Sequence, residues 1–159
     1  MEEGISLTTT PFRRKALDWM GQSLTGYAAI AINTGNGLEE SIFLFKNGSI
    51  VGCAYEIVPR ETEWFGQNAL PLCFNAASCP QGVLDVVSLS GAQLDLVTAF
   101  NNSILLQEPI SKNSLDKWIP RKFDSTLSMK TISGNNAISE KKETFERFGL
   151  GGIFGRAKE

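Results

Sequence analysis

The dipeptide Asn47-Gly48 constrains the fold more than any other feature of the sequence, because it lies between two apolar runs. A two-residue hairpin loop of type I′ needs positive φ at both loop positions, and asparagine and glycine tolerate this best. Residues 39–46 and 49–58 are therefore predicted as antiparallel strands joined by a tight turn. The first strand is apolar on both faces over 42–45, which places it in the middle of a sheet.

The other periodic segments predict an α+β domain. Apolar alternation predicts strands over 27–33 and 82–88, and Leu105 and Leu106 add a short strand. Spacings of three and four between apolar residues predict helices near 11–21, 61–78 and 90–101. The expected architecture is an antiparallel sheet of four or five strands packed with two or three helices and followed by a flexible C-terminal tail.

Local signals refine the helices. Ser90 is a typical N-cap for the helix over 90–101, and Pro71 is expected to kink or split the helix over 61–78. Gly52 and Ala54 share one face of their strand, where small side chains favour the close approach of a helix.

Charge divides the chain into two parts. Residues 1–110 carry 5 Lys/Arg against 11 Asp/Glu, a net charge of −6, whereas residues 111–159 carry 10 against 6, a net charge of +4. The apolar periodicity is lost beyond about residue 124, where serine, threonine, asparagine and lysine dominate. We therefore predict a globular domain over 1–123 and a basic, largely disordered tail over 124–159.

The composition excludes several kinds of chemistry. The chain has no histidine, the commonest general base and metal ligand, and its three cysteines, Cys53, Cys73 and Cys79, form no metal-binding spacing. No carboxylate pair stands at a convincing catalytic spacing, so we expect no enzyme, no metal and no cofactor. A formal net charge of −2 argues against a nucleic-acid partner. Free cysteines and an acidic N-terminus predict a cytoplasmic protein.

An aromatic and basic segment over 139–156 is the candidate docking element of the tail. Disordered tails generally lack large apolar residues, so this cluster calls for a binding role. Three interpretations remain open: the segment packs on its own domain, binds a partner protein, or contacts a membrane surface. The candidate docking residues are Phe145, Phe148, Leu150, Ile153, Phe154, Arg147 and Arg156.

Short motifs between residues 25 and 101 resemble a known family. In order, these motifs are Thr25-Gly26-Tyr27, the run 43–51 (FLFKNGSIV), Ala54, Gly66 with Ala69-Leu70, Gln93-Leu94 and Phe100-Asn101. The pattern is similar to the PATAN domain, the N-terminal domain of PatA-type response regulators, and to its archaeal relatives of unknown function. This sequence differs from the PATAN pattern over residues 55–66. The resemblance implies a regulatory or protein-interaction module in signalling and carries no catalytic residues.

Two functional hypotheses follow. The first is a non-enzymatic adaptor module that binds an unidentified protein partner through its tail, with no oligomeric state assigned. On this hypothesis, deleting residues 125–159 is expected to leave the fold intact and to change binding. The second is a small-ligand sensor with a pocket between the sheet and the helix over 61–78, near Trp64, Tyr55 and Gly52.

Overall fold

An antiparallel sheet of seven strands dominates the part of the chain that the computed structural model describes, residues 1–134. The strands are β1 (Glu2–Ser6), β2 (Gly26–Thr34), β3 (Gly37–Lys46), β4 (Ser49–Ile57), β5 (Thr62–Phe65), β6 (Gly82–Ser88) and β7 (Leu105–Ile110). The helices are α1 (Phe12–Gly21), α2 (Leu70–Ala77) and α3 (Gly91–Phe100). The predicted α+β class is confirmed, and the strand count is higher than the four or five expected.

The strands follow the order β1-β6-β2-β3-β4-β5, and every pair is antiparallel. The outer edge of β4 is divided between two partners: Ile50 and Gly52 pair with β7, and residues 54–57 pair with β5. Strands β1 and β5 account for the excess over the prediction. They contain only five and four residues, which is too short to establish a period-two pattern.

The predicted hairpin is present, with φ values of 50° at Asn47 and 75° at Gly48. Lys46 lies opposite Ser49, as the two-residue loop requires. The register then shifts by one residue: Phe45 lies opposite Ile50, but Leu44 lies opposite Gly52. Strand β4 therefore contains a β-bulge with Val51 as the extra residue.

Helices α1 and α2 cover one face of the sheet, here called the first face. Phe43 of β3 lies at its centre, stacked on Phe12 of α1 at 4.8 Å between ring centroids and tilted against Phe74 of α2 at 5.0 Å. Trp19 of α1 meets Phe45 edge to face at 5.9 Å. Phe12, Phe43, Phe45 and Phe74 are the largest fully buried side chains in the described part of the chain, and rings of this size dominate the energetics of a core.

The helix predicted over 61–78 is wrong in its first half, residues 61–69. Residues Thr62–Phe65 form β5, Gly66–Asn68 form a 3₁₀ turn, and α2 begins only at Leu70. Pro71 therefore does not kink a helix. It occupies the first turn of α2, where its missing N–H has no intrahelical partner to lose.

The other two predicted helices agree with the structure within one residue at each end. Ser90 caps α3 as expected: its side chain accepts from the Gln93 N–H at 3.2 Å, and the Gln93 side chain accepts from the Ser90 N–H at 2.8 Å. This reciprocal pair is a capping box.

The chain divides between Ser125 and Thr126 into two units. All seven strands and the three named helices belong to the first unit. In the second unit, residues 127–134 are helical. The remainder of the predicted tail, residues 135–159, lies outside the described residues.

Truncating the central ring of the first face should be severely destabilising. Phe43→Ala removes a side chain that is fully buried between two aromatic rings, so we expect the free energy of unfolding to fall by about 3–5 kcal/mol. Phe100→Ala is the matched control, because that ring is 80% exposed, and its effect should stay within about 0.5 kcal/mol. Urea unfolding of both variants measures the difference. Equal losses would contradict this account of the core.

Candidate functional site

The opposite face of the sheet, here called the second face, is covered much less completely. Helix α3 crosses it but buries only one side chain, Leu94. Leu94 packs with Leu44 of β3 and with Ile104, in the turn before β7. An exposed ion pair at 2.6 Å between Lys46 and Asp95 adds a second link between β3 and α3. The rest of α3 does not close onto the sheet, and a cavity remains beneath it.

The cavity has a volume of about 420 Å³, within the usual range for ligand sites. Its floor consists of strand residues on the second face, and its walls come from α3, β5 and the turn at Ile104. The lining residues are Tyr27, Glu40, Ile42, Leu44, Ala54, Tyr55, Glu56, Glu63, Phe65, Leu89, Val97, Asn101 and Ile104. Most of these are apolar, and the charged ones are all glutamates.

Gly52 positions the wall that contains Ile104. A Cβ atom on Gly52 would lie 2.8 Å from the Ile104 carbonyl oxygen, closer than real Cβ atoms approach, and 3.3 Å from Leu44 Cδ1, which is a tight contact. The small residue therefore admits the turn before β7. This corrects the prediction that Gly52 lets a helix pack closely, since the neighbour is the turn at Ile104.

Three glutamates form a continuous row across the second face. Glu40 of β3 lies directly opposite Glu56 of β4, and Glu56 lies opposite Glu63 of β5. All three line the same end of the sheet's cavity. Like charges directly opposite each other in a sheet are destabilising. The ion pairs found among residues 1–134 involve other acidic residues and leave this row uncompensated.

Exposed apolar side chains lie in the cavity lining and next to it. Phe65 and Val97 line the cavity and are 39% and 38% exposed. On α3, Phe100 lies one helical turn from Val97 and is 80% exposed. Leu105 follows the lining residue Ile104 at the start of β7 and is also exposed. Together these four residues form what we call the apolar rim.

The predicted pocket between the sheet and the helix over 61–78 is not where the cavity lies. That interface is filled by α2, in which seven of the eight residues are buried. Trp64 lies on the first face, with its ring 6.0 Å from that of Tyr55. The space beside Gly52 is filled by the turn at Ile104. Of the three residues named for the pocket, Tyr55 lines the observed cavity. The cavity belongs to the opposite side of the sheet, under α3.

A buried carboxylate on the first face is held by hydrogen bonds. Glu39 is 3% exposed and accepts from the Thr34 hydroxyl at 2.7 Å, from the Asn36 amide at 3.1 Å and from the Tyr55 hydroxyl. These donors satisfy the carboxylate and fix the turn between β2 and β3. We interpret this group as structural, because Oε1 is held by the turn and Oε2 by Tyr55 of β4.

The three cysteines are buried and unpaired as disulfides. Burial, together with the neighbouring Cys53, raises the pKa of the Cys73 thiol well above its ordinary value, so this thiol is protonated at neutral pH. A protonated, buried thiol is a poor nucleophile. Within residues 1–134, no three metal-binding side chains lie close enough together to hold an ion, and no helix there has the length and apolarity to cross a bilayer.

The candidate docking residues of the tail fall outside the described part of the chain. Phe145, Phe148, Leu150, Ile153, Phe154, Arg147 and Arg156 are all beyond residue 134. The acidic row and the apolar rim were not anticipated from the sequence. In β4, Glu56 stands between the apolar residues Tyr55 and Ile57, which is a signal for a polar position on one sheet face, but its match with Glu40 and Glu63 depends on the register.

Residues 12–101, more than half of the chain, match the model of a family described as an uncharacterised protein conserved in archaea, DUF2226. The chain belongs to the DUF2226 family. The matched segment runs from α1 through α3 and contains every residue that lines the cavity except Ile104. No curated protein and no solved structure matches the chain. The resemblance to archaeal proteins of unknown function is thereby confirmed, and the similarity to the PATAN domain stays a prediction.

Adding a methyl group to Gly52 should displace the cavity wall. Gly52→Ala places a Cβ against the Ile104 carbonyl, so we expect a loss of about 1–3 kcal/mol in unfolding free energy. Gly91→Ala is the control: it meets nothing within 4 Å at the start of α3, and we expect no loss of stability. Urea denaturation distinguishes the two. An unperturbed Gly52→Ala variant would mean that the Ile104 turn is not seated on β4.

Neutralising the centre of the acidic row should stabilise the protein. Glu56→Gln removes repulsion from both neighbours, and we expect a gain of about 0.5 kcal/mol, larger at low salt. Glu3→Gln serves as the control, because Glu3 is exposed on β1 in its irregular part and faces no glutamate. Thermal unfolding at two salt concentrations provides the measurement. A destabilised Glu56→Gln variant would show that the row is compensated after all.

Proposed function

We propose that this DUF2226 protein is a non-enzymatic regulatory or adaptor module that binds a partner protein through the second face of its sheet. The observation that carries the proposal is the cavity under α3 together with the apolar rim at its mouth. Contiguous exposed apolar surface with polar surroundings is typical of interaction sites in soluble proteins. The first face offers no comparable surface, since α1 and α2 fill it.

The composition of the rim supports a protein partner. Phe65 and Phe100 are aromatic residues at the surface, and exposed aromatic side chains are enriched among the residues that dominate binding energy. The rim also extends beyond the cavity to Phe100 and Leu105, which a ligand confined to the cavity would leave uncovered. A protein segment that enters the cavity and spreads over α3 would cover both.

The regulatory part of the proposal comes from the similarity to the PATAN domain, which implies a module in signalling. The tail segment over 139–156 is proposed as a further docking element, for a protein or, secondarily, a membrane surface. Free cysteines support a reducing compartment, and we propose the cytoplasm. No nucleic-acid partner is proposed, because the first 110 residues carry a net charge of −6.

A second candidate function, a small-ligand sensor, is favoured by one observation. The volume of about 420 Å³ and the mainly apolar lining suit a small organic molecule. For this candidate function, we propose the cavity under α3 as the ligand site, in place of the pocket proposed from the sequence between the sheet and the helix over 61–78.

The proposed interaction surface can be tested by capture of a partner from lysate of an archaeal source. The four baits are the native chain, Val97→Lys, Ala99→Lys and a truncated chain, 1–124. Val97→Lys puts a charge into the mouth of the cavity at an exposed helix position, and Ala99→Lys puts the same charge elsewhere on α3. We expect Val97→Lys to lose the partner and Ala99→Lys to retain it. A truncated chain, 1–124, separates the two docking elements: loss of the partner there assigns binding to the tail. A partner retained by all four would contradict both sites.

The sensor hypothesis has its own test. A saturable rise in the thermal midpoint with a metabolite mixture, present in the native chain and absent in Val97→Lys, would place a small ligand in the cavity. Stabilisation unaffected by Val97→Lys would place the ligand elsewhere.

A further inference from the structure

The negative charge of the acidic row indicates the chemistry of the partner that the cavity binds. This inference rests on the proposal that the second face is the binding surface. Opposed residues in antiparallel strands have Cα atoms about 4.5–5.5 Å apart, so the three carboxylates of Glu40, Glu56 and Glu63 form one short band of negative charge. Repulsion within this band has no compensation among the described ion pairs. A cation placed over the band would relieve it.

The apolar floor begins one pleat away from this band. Ala29, Ile42, Ala54 and Phe65 lie opposite one another in the next row of the same face. Side chains two positions apart on a strand are separated by about 7 Å, so an occupant passes from an apolar to an acidic environment within a single long side chain. Lysine and arginine have this construction, with an apolar stem and a charged end.

We infer that the cavity binds an amphipathic basic segment of a partner protein, most simply one helix. Its apolar residues pack on Ile42, Leu44 and the apolar rim, and one or more lysine or arginine side chains reach the acidic row. A small cation would satisfy the row but leave Phe100 and Leu105 of the apolar rim exposed, whereas a helix is large enough to cover them. The complementarity of charge and of apolar surface selects this occupant over an acidic or purely apolar one.

The inference is testable with synthetic peptides and the full-length protein. The probe is an amphipathic helix of leucine and lysine, about four turns long, labelled for fluorescence anisotropy. Two control peptides separate the contributions: in one, glutamate replaces lysine, and in the other, serine replaces leucine while the charge stays the same. A small apolar cation, hexylammonium, is titrated as a competitor.

The variants are chosen to separate this inference from the proposed function. Combining Glu40→Gln, Glu56→Gln and Glu63→Gln neutralises the row, and Glu3→Gln removes one negative charge elsewhere. Val97→Lys obstructs the cavity mouth, with Ala99→Lys as its matched control. Circular dichroism and the thermal midpoint of each variant show whether it is folded.

We expect the leucine–lysine peptide to bind the native protein and both control peptides to bind at least about tenfold more weakly. The triple glutamine variant should lose about tenfold or more in affinity and most of the salt dependence, whereas Glu3→Gln should lose neither. Val97→Lys should also weaken binding, and Ala99→Lys should not.

Other outcomes overturn the inference in distinguishable ways. If Val97→Lys weakens the peptide but the triple variant does not, the surface is correct and its charge preference is wrong. If hexylammonium displaces the peptide at matching concentration, the occupant is a small cation, which favours the sensor. If neither Val97→Lys nor the triple variant changes binding, the second face is not the binding surface and the proposed function fails with the inference.

Discussion

The single extra residue in β4, Val51, determines what lies on each face of the central strands. A two-residue loop at Asn47-Gly48, continued without interruption, would place Glu40 opposite Tyr55. The bulge moves every later pair by one position, so that Glu40 lies opposite Glu56 and Leu44 lies opposite Gly52. The acidic row and the seat for the Ile104 turn both depend on this shift. Bulges are common beside functional sites for the same reason, because they redirect side chains without breaking the sheet.

The two faces of the sheet differ in how completely they are covered. On the first face, two helices pack aromatic rings against Phe43 and exclude solvent. On the second face, α3 buries only Leu94 of its ten residues and is otherwise linked to β3 by the exposed Lys46–Asp95 ion pair. A helix held by one buried side chain contributes little to the core, and the surface beneath it stays accessible. The matched DUF2226 segment, residues 12–101, contains α1, α2 and α3 and every residue that lines the cavity except Ile104.

Local signals in the sequence were sufficient for the elements that depend on local chemistry. Asn47-Gly48 identified the hairpin, and Ser90 identified the start of α3. Strand β5 could not be distinguished from the beginning of a helix, because Trp64 and Phe65 are apolar neighbours in a four-residue segment. The bulge could not be predicted from the sequence, because its extra residue, Val51, is a valine, which is common in regular strands. The acidic row could not be predicted without the register of β4 against β3 and β5. The small contribution of α3 to the core depends on tertiary packing, which the periodicity of the sequence does not indicate.

The division of the β4 edge between β5 and β7 has a consequence for assembly. A long, flat outer strand offers unpaired N–H and C=O groups to another chain and invites sheet extension. Here that boundary is made of two short segments that meet different halves of β4. The opposite boundary, β1, carries Glu2 and Glu3 and an irregular register. Neither side provides a straight template for a further strand, so strand addition between copies is disfavoured.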